Sequence, residues 1–165
     1  MKFPIYRYDG CLLREYECCL DNKLVDFEWR LAHNVLYTNQ RVAKWGKSDG
    51  VCPIHNCNDI ESVSHIFWVC PKVSPIITWL DKILKSVLGH DFHLDYNYYM
   101  YGINPQVKSD VSRLVLDRVW VILSTTKFVI WKSRCIHVFQ HRYIPSSTIM
   151  SNIVKDVNLR VKLDF

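Results

Sequence analysis

Apolar residues in this chain recur mostly at three- and four-residue steps, the period of an amphipathic helix. The first clear run is Phe27, Leu31, Val35 and Leu36, which predicts a helix over 27–36 with Asp26 as its N-cap. Upstream of it, 1–10 reads as an extended or irregular lead-in and 11–20 as a short helix. Thr38 or Asn39 caps a second short helix through Trp45, which ends at Gly46. Residues 48–58, with their Gly, Asp, Asn and Pro, read as loop. A helix is predicted from Asp59, capped by Asp59 or Ser62, with Glu61 at the positive end of its dipole and Pro71 as its stop. Another spans 74–88 and closes at Gly89, and the Tyr-rich stretch 90–108 reads as irregular. The longest stripe, from Val111 through Leu114, Val115, Val119 and Ile122 to Val129 and Ile130, predicts a helix from Ser109 to about Gln140. Pro145 breaks the chain, and Ser146 or Ser147 caps a last helix over 148–163. The fold expected is all-α: an irregular helical bundle carrying a small knuckle. One domain is expected over 1–165, with the knuckle at 50–71 and a helical C-terminal part at 109–165.

The knuckle carries the most specific chemistry. Cys52, Cys57, His65 and Cys70 follow the spacing C-x4-C-x7-H-x4-C. Zinc favours four tetrahedral thiolate and imidazole ligands, and two ligands on a loop followed by two on a helical turn is a workable arrangement. His65 and Cys70 are five apart, so the helix has to end or distort near Cys70. Reduced core cysteines beside a satisfied histidine would be the plainer reading of any one of these residues. Three cysteines and a histidine within nineteen residues, bounded by turn formers, favour one structural Zn2+. His55 competes with Cys57 for the second position; Cys57 is preferred because two thiolates suit a fixed pairing of loop and helix. Four protein ligands leave no open position for water, which points to structure over catalysis.

Composition narrows the setting. The 165 residues are 49% hydrophobic and 22% charged, ordinary for a globular chain with a real core. Seven cysteines are an odd number, which fits metal binding better than a complete disulfide set. Met1-Lys2-Phe3-Pro4 leads into polar sequence and no stretch is apolar enough to span a bilayer, so the chain reads as intracellular, nuclear or cytoplasmic. The net charge is +5; one zinc ion and three thiolates would leave it at +4, which permits an anionic partner. No enzyme is expected. Cys135 with His137 or His141 makes a poor nucleophile and base, being neighbours on one helix, and five glycines supply no phosphate-cradling loop.

The residues around the knuckle resemble a known family. The run Phe27-Glu-Trp-Arg-Leu, then Thr38 to Gly46, then Glu61-Ser-Val-Ser-His65-Ile-Phe-Trp-Val-Cys70-Pro, then Trp79, is similar to the reverse-transcriptase zinc-binding domain downstream of the polymerase in non-LTR retrotransposon polyproteins. The stretch from Thr126 through Trp131 to Arg134 looks like the helix that closes the same region. Four residues separate the first two cysteines here, where that family often has two. The resemblance implies contact with element RNA or target DNA in a retrotransposon polyprotein context. It implies no catalysis, because 165 residues cannot hold a polymerase core.

Two groups of basic and aromatic residues fit that implication. One is Arg41, Lys44 and Lys47 around Trp45; the other is Lys127, Lys132, Arg134 and Arg142 around Trp131. Lys and Arg neutralise phosphates, and exposed aromatics stack on unpaired bases. The competing reading of each group is a solvated helix face with its Trp in the core, and Trp45 and Trp131 are both assigned to the core. The alternative function is a zinc-stabilised protein-interaction or scaffold module that binds no nucleic acid.

Overall fold

The carboxylate of Asp21 accepts hydrogen bonds of 3.0 Å from the Lys23 and Leu24 amides and starts helix α1, Asn22–Ala32. The computed structural model in which this is seen describes residues 20–103 and 110–163; the short helix expected over 11–20 and the cap at Ser109 lie outside them. Helix α1 thus begins and ends earlier than its apolar stripe predicts. Starting at Asp21 adds Leu24 to the buried face of Phe27 and Leu31, and Asp26 instead pairs with Arg30 at 2.9 Å along the helix surface. Asn34, at φ 52°, turns the chain away.

Thr38 caps the short α2, Asn39–Ala43, by accepting from the Arg41 amide at 3.2 Å. No long helix follows the loop. Residues 59–62 are not helical, Val51 and Ile60 form an isolated antiparallel bridge, and a π-helical turn occupies His65–Val69. Helix α3, Ser74–Leu88, matches its predicted bounds, with Pro75 in its first turn and Gly89 at φ 108° after its end. The Tyr-rich stretch holds an unexpected helix, α4, Tyr96–Tyr101, because Asp95 accepts from the Tyr98 amide at 2.9 Å. Helix α5, Arg113–Gln140, is capped by Ser112, and α6, Ser146–Leu163, follows Pro145. Among the described residues there is no strand, and the fold is all-α.

Helix α5 is the central element. It packs against α6, α1 and the π-turn, while α3 packs against α6 and the same π-turn. Its middle is therefore covered on all sides: Ser124, Thr125 and Thr126 are fully buried beside Leu123 and Val129. Lys127 is fully buried too, at 0% exposure. Its ammonium donates to Glu28 Oε2 at 2.9 Å, lies 2.8 Å from Oε1, donates to the Met100 carbonyl at 3.2 Å and sits 4.5 Å from the Trp120 ring centroid. The expected phosphate-binding role of Lys127 is corrected accordingly: its charge is spent inside the core joining α5 to α1.

Removing one member of a buried ion pair leaves an uncompensated charge and typically destabilises by about 3–5 kcal/mol, whereas replacing both by apolar groups is often neutral. Lys127→Met alone is expected to lower the stability by that amount in urea unfolding. Lys127→Met combined with Glu28→Leu is expected to recover most of the loss.

Candidate metal centre

The knuckle is built by a small hairpin closing onto one helical turn. The Cys52 amide donates to the Asp59 carbonyl at 2.8 Å and the Glu61 amide to the Gly50 carbonyl at 2.9 Å, which zips 50–52 against 59–61. At the tip, Asn56 and Asn58 take φ of 64° and 48°, a region Asn tolerates better than most side chains. These two left-handed residues flank Cys57, whose own amide donates to the Ile54 carbonyl at 3.0 Å. The tight reversal aims Cys57 inward and leaves His55 exposed.

The other two ligand candidates come from the π-turn. In an α-helix, positions five apart point about 140° away from each other. Here the Cys70 amide donates to the His65 carbonyl at 2.9 Å, one residue wider than an α-helical bond. That wider ring brings His65 and Cys70 to the same side. Ser62 Oγ accepts from the His65 amide at 3.0 Å and fixes the start of the turn. Ile66 and Phe67 meanwhile enter the core, and Phe67 meets Phe27 edge-on at 6.1 Å.

The four ligand atoms of Cys52, Cys57, His65 and Cys70 all lie within 4.8 Å of one another. Cys52 Sγ is 4.0 Å from Cys70 Sγ, and Cys57 Sγ is 3.3 Å from His65 Nε2. Zn–S bonds of about 2.3 Å in a tetrahedron give ligand–ligand edges of about 3.8 Å, so these separations suit one four-coordinate ion. Cys52, His65 and Cys70 are buried and Cys57 is half-buried. The group can hold one metal ion, with Cys57 rather than His55 in the second position. His65 presents Nε2 to the sulfurs, and its Nδ1 faces Asp59 Oδ2 at 3.8 Å, the side from which a carboxylate orients a metal-binding imidazole.

The electrostatics divide the thiols. The hydrogen bond between Cys52 and Cys70, followed by burial, pushes Cys52 far above the usual thiol range. The same hydrogen bond pulls Cys70 down to about 5. Burial pushes Cys57 up. Lys72 borders the group over the Tyr143 ring, 4.5 Å from its centroid. Burial lowers its pKa and the nearby Cys70 and Cys52 sulfurs pull it back up. A cation there would partly offset the net negative charge that three thiolates would leave on a divalent ion.

A second buried ion pair bolts the knuckle to α5. Arg134 Nε donates to Glu61 Oε1 and Nη2 to Oε2, both at 2.8 Å, in a bidentate fork, and Nη2 also donates to Asn39 Oδ1 at 3.1 Å. Glu61 Oε2 in turn accepts from the Asn39 amide at 2.7 Å, and Asn39 Nδ2 donates to the Val51 carbonyl at 2.7 Å. His137 Nε2 reaches the Pro53 carbonyl at 3.1 Å, and Ser146 Oγ donates to the Lys72 carbonyl at 2.8 Å.

This placement corrects two expectations. Arg134 is buried at 7% exposure and engaged by Glu61, so it is a strut and not a phosphate ligand. Glu61 serves that strut instead of a helix dipole. Lys44, Lys47, Lys132 and Arg142 are exposed and no ion pair ties them to a described residue. Arg41 is half-buried, with Nη1 donating to the Asn34 carbonyl at 2.6 Å. Trp131 packs against the core as expected, but Trp45 is 52% exposed.

The site thus defines a helical domain built on a Cys3His cluster. Its sequence is similar to the Transposon TX1 uncharacterized 149 kDa protein of Xenopus laevis, with 28% identity over 109 residues. That match covers 66% of this chain and only 8% of the transposon protein, so the chain corresponds to a small part of its relative's length. No protein-family model matches the chain, and no solved structure does either. No helix among the described residues is long and apolar enough to cross a membrane.

Metal binding requires deprotonated thiols, so affinity rises with pH while any ligand is still protonated. Cys52 and Cys57 are both raised above the usual thiol range, so loading near neutral pH is expected to release the protons of those two thiols. Zinc addition to reduced, metal-free protein at pH 7 is therefore expected to release about two protons, read with a pH-indicator dye. The apparent affinity is expected to rise by about 100-fold per pH unit.

Proposed function

We propose that this chain is a zinc-stabilised accessory domain of the retrotransposon type that binds nucleic acid, contacting element RNA or target DNA, and that it is not an enzyme. The observation that carries the reading is the convergence of three thiols and one imidazole within 4.8 Å. This donor set favours zinc over hard cations, and a set of four protein ligands suits a structural site. The similarity to a transposon-encoded protein supplies the context, and the resemblance of the Glu61 to Pro71 stretch to the reverse-transcriptase zinc-binding domain points the same way. In finger peptides such a site contributes about 10–16 kcal/mol of binding free energy, comparable to the stability of a whole domain. Zinc would then hold the loop 50–58 and the π-turn together while nearby cations meet phosphate.

Of the seven basic residues singled out in the sequence, Lys44, Lys47, Lys132 and Arg142 are exposed, while Arg41 is half-buried and held by the Asn34 carbonyl. Four phosphate contacts give a slope of log affinity against log salt of about −2.8 on single strands and about −3.6 on duplex DNA. Zinc-loaded protein titrated onto RNA and DNA at increasing salt is expected to show a slope of this size. Lys132→Ala with Arg142→Ala is expected to reduce it by about 1.4 to 1.8 without changing zinc content. Failure of the folded, zinc-loaded protein to bind either nucleic acid at low salt would hand the role to a protein-interaction module.

A further inference from the structure

The segment between α1 and the knuckle leaves two aromatic rings in solvent. Tyr37 is 60% exposed and Trp45 52% exposed, and their centroids are 5.9 Å apart. The planes are tilted by 55°, so the rings do not cover each other's faces. Adjacent exposed aromatics form a contiguous apolar patch of the kind that marks interaction surfaces. Their immediate neighbours are cations. The Arg41 guanidinium lies 5.8 Å from the Trp45 centroid, and Lys44 and Lys47 flank Trp45 in sequence and are exposed. The nearest acidic group in the sequence, Asp49, is occupied by the Val51 amide at 2.9 Å.

The platform is held rigidly. Thr38 caps α2, the Trp45 amide donates to the Val42 carbonyl at 3.0 Å, and Gly46 turns the chain at φ 66°. Arg41 Nη1 is fixed to the Asn34 carbonyl. The first residues of α2 are bound to the knuckle, since the Asn39 amide donates to Glu61 Oε2 and the Gln40 amide to the Glu61 carbonyl at 3.3 Å. The metal centre, Glu61 and the aromatic pair therefore form one connected unit.

Resting on the nucleic-acid reading above, we propose that Tyr37 and Trp45 form a stacking platform for unpaired bases, with Lys44 and Lys47 holding the adjoining phosphates, so that this face takes single-stranded nucleic acid in preference to duplex. Unpaired bases offer π-faces that paired bases keep inside the stack. Stacking of one base on an aromatic ring changes affinity by roughly 5- to 100-fold on alanine substitution and is tolerant of sequence. Arg41, already anchored, acts as a wall beside Trp45 and not as a free phosphate ligand.

The test compares zinc-loaded full chain on a 15-nucleotide single strand and a 15-base-pair duplex at one low salt concentration. The wild type is expected to bind the single strand more tightly. Tyr37→Leu with Trp45→Leu keeps apolar bulk but removes the π-faces, and is expected to lose roughly 5- to 100-fold on the single strand and little on the duplex. Trp45→Phe is expected to retain most of the affinity, and thermal melting and zinc content are expected to match wild type in both variants. Unchanged single-strand affinity in the folded double variant, or equal wild-type affinity for both forms, overturns the platform while leaving nucleic-acid binding intact. Absence of wild-type binding to either oligonucleotide overturns the platform and the underlying reading together, and leaves the aromatic face to a protein partner.

Discussion

The bidentate pair between Arg134 and Glu61 is the joint on which the rest of the molecule depends. A loop as short as the knuckle has no hydrophobic core of its own, so its ligands hold their places only if the loop is fixed to something rigid. Arg134 stands near the end of a 28-residue helix whose middle is buried on every side. Its fork takes both Glu61 oxygens at 2.8 Å, and the same carboxylate accepts from the first residue of α2. One carboxylate thus sets the positions of the long helix, the knuckle and the short helix that Tyr37 and Trp45 flank. Arg suits this role better than Lys because its planar guanidinium matches both carboxylate oxygens at once.

The metal group and this joint divide the labour. The hairpin 50–61 and the π-turn place four ligand atoms without help from distant residues, as the left-handed Asn56 and Asn58 and the i+5 hydrogen bond show. What the local chain cannot do is orient that unit relative to the bundle. Arg134, His137 and Ser146 do so from α5 and α6, through contacts to Glu61, Pro53 and Lys72. A structural ion has a clear use in such a design: it closes a polar, loop-rich segment that apolar burial alone would not hold.

Much of this was legible in the sequence wherever the signal was local. Helix α3 was bracketed by Pro75 and Gly89, and both bounds were correct. The spacing from His65 to Cys70 demanded a distorted turn, and the π-turn supplies it. Where the local signal pointed to Asp26 as the cap, the core favours Asp21 instead, because Leu24 then joins the buried face. The charged residues were the hardest to read. Lys127 and Arg134 looked like surface cations because their partners, Glu28 and Glu61, stand 99 and 73 positions away. Nothing in a single sequence announces such pairings. Trp45 departs from expectation for the opposite reason: a tryptophan is usually buried, and only the tertiary arrangement leaves this one in solvent.

The central claim is that three sulfurs and one imidazole nitrogen of this chain hold one zinc ion. X-ray absorption at the zinc edge on reduced, purified protein tests it most directly. The account predicts one zinc per chain, with a shell of three sulfurs at about 2.3 Å and one nitrogen at about 2.0–2.1 Å. A shell of two sulfurs and two nitrogens would place His55 where Cys57 is assigned, and reduced protein that retains no zinc at all would contradict the account outright.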